Sequence, residues 1–150
     1  MGVPHRLETI AVIGGVTWVN DSIATAPERV IAALRSFSQP IVLLAGGRDK
    51  NLPWDELAAL AVTKCRAVIA FGEYGPQVVE HFHRATAATP SALIEQTRLV
   101  ADLAEAVAAA REVARPGDVA LLSPGGTSYD AYEDFAARGQ HFRALVAGFT

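Results

Sequence analysis

A chain of 150 residues, 51% of them hydrophobic, suits one domain and can bury about 70% of its unfolded surface, so its core needs no disulfide or metal staple. With 13 basic against 16 acidic residues and a formal net charge of -3, it lacks the basic excess that holds nucleic acid, and no nucleic-acid partner is expected. Cys65 is the only cysteine, the N-terminus MGVPHRLETI has no signal-peptide pattern and no apolar run approaches the ~18 residues of a membrane span, so the expectation is a cytoplasmic protein with no membrane partner.

Short β-branched or Leu-rich runs alternate with longer Ala/Leu/Glu/Arg-rich segments. That pattern predicts an α/β fold: a Rossmann-like three-layer domain with a mostly parallel sheet and an antiparallel N-terminal hairpin strand. LETIAVIGGVTWVN reads as two strands joined at Gly14-Gly15, a pair able to supply the positive φ angles of a tight turn. Thr25 and Glu28 stand at capping-box spacing and Pro27 suits a first helical turn, predicting a helix from about Ala26 to Arg35. Ile41 to Ala45 reads as a buried parallel strand, followed by the loop Gly46-Gly47-Arg48-Asp49-Lys50 and a helix near Trp54 to Ala61. The unit repeats with a strand at Ala67 to Phe71 and a helix from Gly75 to Arg84. A weak strand is predicted near Ala92 to Ile94, then an amphipathic helix over Val100 to Arg115, stopped by Pro116-Gly117. Val119 to Leu122 reads as the last strand, and Asp130 with Glu133 signals the final helix.

Right-handed crossovers would place the strand-to-helix loops on one edge of the sheet, where open α/β domains bind ligands. Those loops carry Asn20-Asp21-Ser22 with Thr25, then Arg48 to Asn51, then Glu73-Tyr74, then Ser123 to Tyr129. Hydroxyls, one lysine, one arginine and helix N-termini together suit a carboxylate or phosphate. The chain contains no G-x-x-x-x-G-K-[ST], G-x-G-x-x-G or G-x-S-x-G motif, hence no obvious catalytic engine of its own. Gly46-Gly47 after a strand is equally well read as a phosphate-loop hint or as a plain helix-entry turn.

Three blocks at these same loops, VNDSIATAPE, PIVLLAGGRDKNL and LLSPGGTSYDAYEDFAARGQHF, together with the entry segment VPHRLE, resemble the C-terminal domain of the bacterial Mur ligases. The resemblance runs from Pro4 to about Val146 and is strongest to the branch that adds D-glutamate. It implies an ATP- and Mg2+-dependent reaction in which the carboxylate of UDP-N-acetylmuramoyl-L-alanine becomes an acyl phosphate that the amine of D-glutamate attacks. It also implies that residues 1–150 are one such domain on its own. The N-terminal UDP-binding domain and the central ATPase domain, with its phosphate loop and metal ligands, would be absent, and the isolated chain inactive.

The resemblance assigns residues one by one. Lys50 matches a lysine on the side-chain carboxylate of glutamate, against the plain alternative of a solvated surface lysine. Thr25 matches a threonine near the amino acid and could equally be an N-cap. Ser128 and Phe135 match a serine and a phenylalanine around bound D-glutamate, with Tyr129 in place of a leucine; Phe135 alone would read as core. Asp21 matches an aspartate on the ribose and adenine side of ATP, against an Asx turn. Arg6 matches an arginine beside the γ-phosphate, in a catalytic role that requires the central domain; in the isolated chain it is expected to be a frayed terminal residue. Ile23 stands where the family has a lysine, and Gly125-Gly126 replace Ala-Cys, which predicts a looser loop. No metal site is expected of His5, His81, His83 and His141. Two alternatives stand beside this reading: a free-standing, non-catalytic α/β module binding a nucleotide or acidic metabolite, and a folylpolyglutamate synthase domain of the same architecture.

Overall fold

A computed structural model describes residues 4–48 and 51–149. The described residues form one six-stranded sheet in the order β1-β2-β6-β3-β4-β5. Its strands are β1 (Glu8–Ile13), β2 (Val16–Asn20), β3 (Ile41–Gly46), β4 (Cys65–Phe71), β5 (Gln96–Leu99) and β6 (Val119–Gly125). Only β1 runs antiparallel to its neighbour. The predicted mixed α/β sheet is therefore present, and the hairpin turns at Gly14 (φ 60°) and Gly15 (φ 81°), the two positive angles that match the twist of paired strands.

Every residue of β3 and β6 is buried, as expected of central parallel strands covered on both faces. Alternation along β3 divides the core. Ile41, Leu43 and Ala45 face a cluster with α1 (Pro27–Leu34), α2 (Asp55–Lys64) and α3 (Gly75–Ala88). Val42 and Leu44 face a second cluster with α4 (Leu103–Val113) and α5 (Phe135–Ala147). Cys65 is fully buried, which pushes its thiol up to about 12 and leaves it an inert core residue.

Several boundaries differ from the sequence expectation. The strand predicted near Ala92 to Ile94 is a loop, because the N–H groups of Leu93 and Ile94 both donate to the Val62 carbonyl at the end of α2. The ladder with β4 falls instead on Gln96–Leu99, a polar stretch suited to a sheet edge. Helix α1 starts at Pro27 with Ala26 at the N-cap and no side-chain cap, so Thr25 lies one residue before the cap. Helix α5 starts at Phe135, not near Asp130, because the Asp134 carboxylate accepts from Ala137 N–H at 2.8 Å. Asp130 reaches across to the loop after β4, accepting from Glu73 N–H at 3.0 Å. Asp102 caps α4 in the same way, accepting from Glu105 N–H at 2.9 Å.

Candidate functional site at the carboxyl ends of the strands

The parallel register aligns Asn20 with Leu122, and Gly46 with both Gly125 and Phe71, so the loops leaving β2, β3 and β6 emerge side by side. Backbone bonds lace them together. Gly125 N–H donates to Ala24 O at 2.8 Å, and Arg48 and Thr127 exchange bonds of 2.9 and 2.8 Å. Gly125-Gly126 sit within this lacing, where close approach leaves no room for a side chain. A β-carbon at Gly125 would come within 2.8 Å of the Trp54 ring, and one at Gly126 within 2.6 Å of the Gly46 carbonyl.

On one side lies a cavity of about 250 Å³ lined by Arg6, Asp21, Ile23, Arg29 and the small residues Ala24, Ala32 and Ala33. Asp21 is 4% exposed; its Oδ1 accepts from Leu7 N–H at 3.0 Å and its Oδ2 from the Ser123 hydroxyl at 2.8 Å. Each oxygen keeps lone-pair capacity for a further donor. The entry segment is held down on both sides of Arg6, since Ile23 N–H donates to His5 O at 3.0 Å and Leu7 donates to Asp21. Arg6 is therefore not a frayed residue, although its side chain is exposed. These bonds hold His5 and Leu7 at φ 65° and 44°, a conformation that persists only where surrounding contacts impose it. His5 is buried against Asn20 and the ring of Phe135, over Gly139, where no β-carbon would fit.

Burial pushes the Asp21 carboxyl above the usual carboxylate range, opposed by the Ser123 hydroxyl, the Leu7 N–H and the charges of Arg6 and Arg29. A raised pKa means the folded state holds the proton more tightly. The stability this group contributes is present below the ordinary carboxylate pKa and is lost as pH rises through the folded value. Asp21→Asn can keep both contacts, with its amide oxygen on Leu7 N–H and its NH2 on Ser123. It is expected to raise Tm at pH 7, with the gain shrinking as pH falls toward about 3.9. A Tm at pH 7 below that of the unaltered chain would refute this.

Thr25, Ser128 and Phe135 lie on or next to the segments joined at this edge. Thr25 is half-buried beside the laced Ala24. Ser128 is 2% exposed and follows the Arg48–Thr127 pair, and its carbonyl accepts from Ala131 N–H and Tyr132 N–H. Phe135 is half-buried at the first position of α5, its carbonyl accepting from the Ser22 hydroxyl at 2.7 Å. Tyr129 is 63% exposed at the rim. Lys50, with Asp49, lies outside the described residues.

Sequence reasoning passed over one residue here. Arg138 on α5 is 1% exposed; its Nε donates to the Ser22 hydroxyl at 3.1 Å and its Nη2 to Ser22 O and Gly126 O at 3.1 and 3.0 Å. Burial pulls its pKa down to about 10, opposed by the charges of Asp130 and Tyr132. The signal available was its place in the Phe-x-x-Arg-Gly stretch of the third block. A further cavity of about 360 Å³, near Pro40, Lys64 and Arg66, opens at the opposite edge of the sheet. Its cations are already engaged, Lys64 by Phe37 O and Arg66 by Asp118 and Glu95. Among the described residues no three His, Cys, Asp or Glu side chains gather into a metal-holding group, and no helix is long and apolar enough to cross a membrane.

An open, mostly parallel sheet with laced loops and polar groups gathered at its carboxyl edge defines an open α/β domain, an architecture whose ligands generally bind at that edge. The chain belongs to the Mur ligase, glutamate ligase domain family, whose model matches residues 5–126. Among curated relatives it is 48% identical over 145 residues to the UDP-N-acetylmuramoylalanine-D-glutamate ligase of Symbiobacterium thermophilum, covering 97% of this chain and 30% of that protein. The corresponding ligase of Roseiflexus sp. is 43% identical, with 99% and 31% covered. The chain thus spans about 30% of the length of these relatives. Among solved structures, a murein peptide ligase from Psychrobacter arcticus superposes with a TM-score of 0.66 at 16% identity, covering 99% of this chain and 31% of that one. A bifunctional folylpolyglutamate synthase/dihydrofolate synthase with Mn, AMPPNP and L-glutamate bound gives 0.60 at 15% identity, covering 97% and 32%. At these identities the two structures share the fold.

Proposed function

We propose that this chain is the amino-acid-delivering domain of an ATP-dependent ligase that joins D-glutamate to UDP-N-acetylmuramoyl-L-alanine, and that it forms one wall of the ATP site. The observation that carries this reading is the lacing at Ala24–Gly125 and Arg48–Thr127, which gathers the loops bearing Thr25, Lys50 and Ser128 at one edge. The relatives' names supply the chemistry: they are D-glutamate ligases, and the identity extends over nearly all of this chain.

In this reading Thr25, Lys50, Ser128 and Phe135 hold D-glutamate with its amine free, while Tyr129 flanks the entrance. The neighbouring cavity takes part of the nucleotide. Its alanine-rich wall suits an adenine ring, Asp21 can accept from ribose hydroxyls, and Arg6 faces the phosphates. ATP, when bound, supplies the phosphoryl group that activates the muramoyl carboxylate. The accompanying Mg2+ is expected to be held by the other domains of the ligase.

The test is ATP-dependent ligation by the whole ligase containing this chain, with D-glutamate, D-glutamine and L-glutamate compared as acceptors. D-glutamate should be strongly preferred; no ligation with it overturns the reading. Asp21→Ala is expected to raise KM for ATP about tenfold, through loss of a hydrogen bond to a charged acceptor, while moving KM for D-glutamate much less. The reverse pattern would transfer Asp21 to the amino-acid side. The 150-residue chain alone should unfold cooperatively and show no ligation.

A further inference from the structure

We infer that Arg138 is a positioning residue for the amino-acid site: one buried guanidinium locks the loops after β2 and β6 and the start of α5 into the arrangement that presents the D-glutamate clamp. This rests on the D-glutamate reading above.

The geometry is specific. Nε and Nη2 reach both the hydroxyl and the carbonyl of Ser22 and, from the same fork, the carbonyl of Gly126. The Ser22 hydroxyl passes the connection on, donating to Phe135 O at 2.7 Å. Nη1 lies over the loop after β3, where a β-carbon at Gly47 would stand 2.9 Å from it. The described clamp residues lie close to these points. Thr25 comes three residues after Ser22, Ser128 two after Gly126, and Phe135 one helical turn before Arg138.

The chemistry argues against a merely stabilising role. The hydrogen-bond acceptors of Arg138 are neutral loop oxygens, and Nη1 has no partner among the described residues. A buried charge satisfied in this way is costly, and an apolar side chain would fill the same space at less expense. What the guanidinium provides is a rigid planar fork that serves several acceptors at fixed angles, which a lysine ammonium on a flexible stem does not. The side-chain contacts of Asp21 run to Leu7 and Ser123, so the lock reaches the nucleotide cavity only through the backbone of the shared loop after β2, and ATP binding should move less than D-glutamate binding.

The experiment uses the whole ligase with Arg138→Met, Arg138→Lys and Ser22→Ala, reading KM for D-glutamate, KM for ATP, and amide hydrogen exchange. For both Arg138 variants we expect KM for D-glutamate to rise at least about tenfold, with KM for ATP moving less than about threefold. Lysine should not rescue. Exchange should quicken at residues 22–25 and 126–128 and stay unchanged in β3 and β4. A folded variant with unaltered KM for D-glutamate, rescue by lysine, or equal rises in both KM values would overturn the inference. If neither Arg138 variant folds, Ser22→Ala decides: a rise of about threefold or more in KM for D-glutamate supports the lock, and no change overturns it. A wild-type ligase that does not use D-glutamate overturns the D-glutamate reading and this inference with it. A wild-type enzyme that uses it beside unaffected variants overturns only the lock.

Discussion

Gly46→Ala is expected to cost the chain at least about 3 kcal/mol of stability, lowering Tm by roughly 6–12 °C. Gly46 ends β3 at φ 149°, a backbone angle that residues with a β-carbon rarely adopt. A β-carbon there would overlap the Phe71 carbonyl oxygen and stand 2.9 Å from the carbonyl carbon. Neither side can yield cheaply, because Gly46 is paired with Phe71 on one side and Gly125 on the other, and Gly47 N–H donates to the same Phe71 carbonyl at 3.2 Å. Relief requires β3 and β4 to part at their ends, which displaces the loop that continues into Arg48. The variant should therefore lose D-glutamate affinity more than ATP affinity. Thermal unfolding checks the first effect, and a Tm within 2 °C of the unaltered chain, a cost of at most about 1 kcal/mol, would show that the strand end yields and would overturn the prediction.

The core was legible because apolar content decides it. Ile41 to Ala45 and Val119 to Leu122 lack polar residues, and both are buried central strands. The Gly14-Gly15 turn was legible because two adjacent positive φ angles have a near-unique composition. Local signals failed where distant groups competed for the same atoms. Asp130 with Glu133 signals a helix start in sequence, but Glu73 N–H, 57 positions away, claims the Asp130 carboxylate and Asp134 caps the helix instead. Ala92 to Ile94 has strand composition, yet Val62 O captures two of its donors and the edge strand forms from Gln96–Leu99.

The candidate site divides in the same way. Asp21, Thr25, Ser128 and Phe135 stood out because their blocks resemble those of the Mur ligase family. Arg138 did not, because an arginine among alanines on a helix reads as solvated until its partners at Ser22 and Gly126 are known, 116 and 12 positions away. At Gly125 and Gly126 the sequence left the close approach unseen for a related reason. Glycine permits both looseness and close approach, and only Trp54 and the Gly46 carbonyl, packed against them, decide for close approach.

Lys50→Ala, in the whole ligase, is expected to raise KM for D-glutamate by one to two orders of magnitude, about 1.5–3 kcal/mol for a charge-assisted bond to a carboxylate. The argument runs through its neighbours in the chain, since Lys50 itself lies outside the described residues. Arg48, two positions earlier, is bonded in both directions to Thr127, and Ser128 follows directly. The nearby Arg48 guanidinium is not a ready substitute, because its Nε donates to the Glu73 carboxylate at 2.9 Å. Lys50 follows three positions after Gly47, which is itself held by Phe71 O, and a lysine has a long side chain to spend on a ligand bound at these loops. The clamp must grip the side-chain carboxylate while leaving the amine exposed to the activated carboxyl, so the loss should fall on binding and orientation together. Arginine at position 50 should rescue poorly, since its planar fork demands a different approach to the carboxylate than a point charge does. D-glutamine should be a poor acceptor, because it removes the charge while keeping nearly the same shape and leaves the ammonium without its partner. Steady-state kinetics with both acceptors measure this directly. An unchanged KM for D-glutamate in Lys50→Ala, or D-glutamine serving as well as D-glutamate, would remove Lys50 from the carboxylate clamp and leave Thr25, Ser128 and Phe135 to hold the amino acid without a cation from this loop.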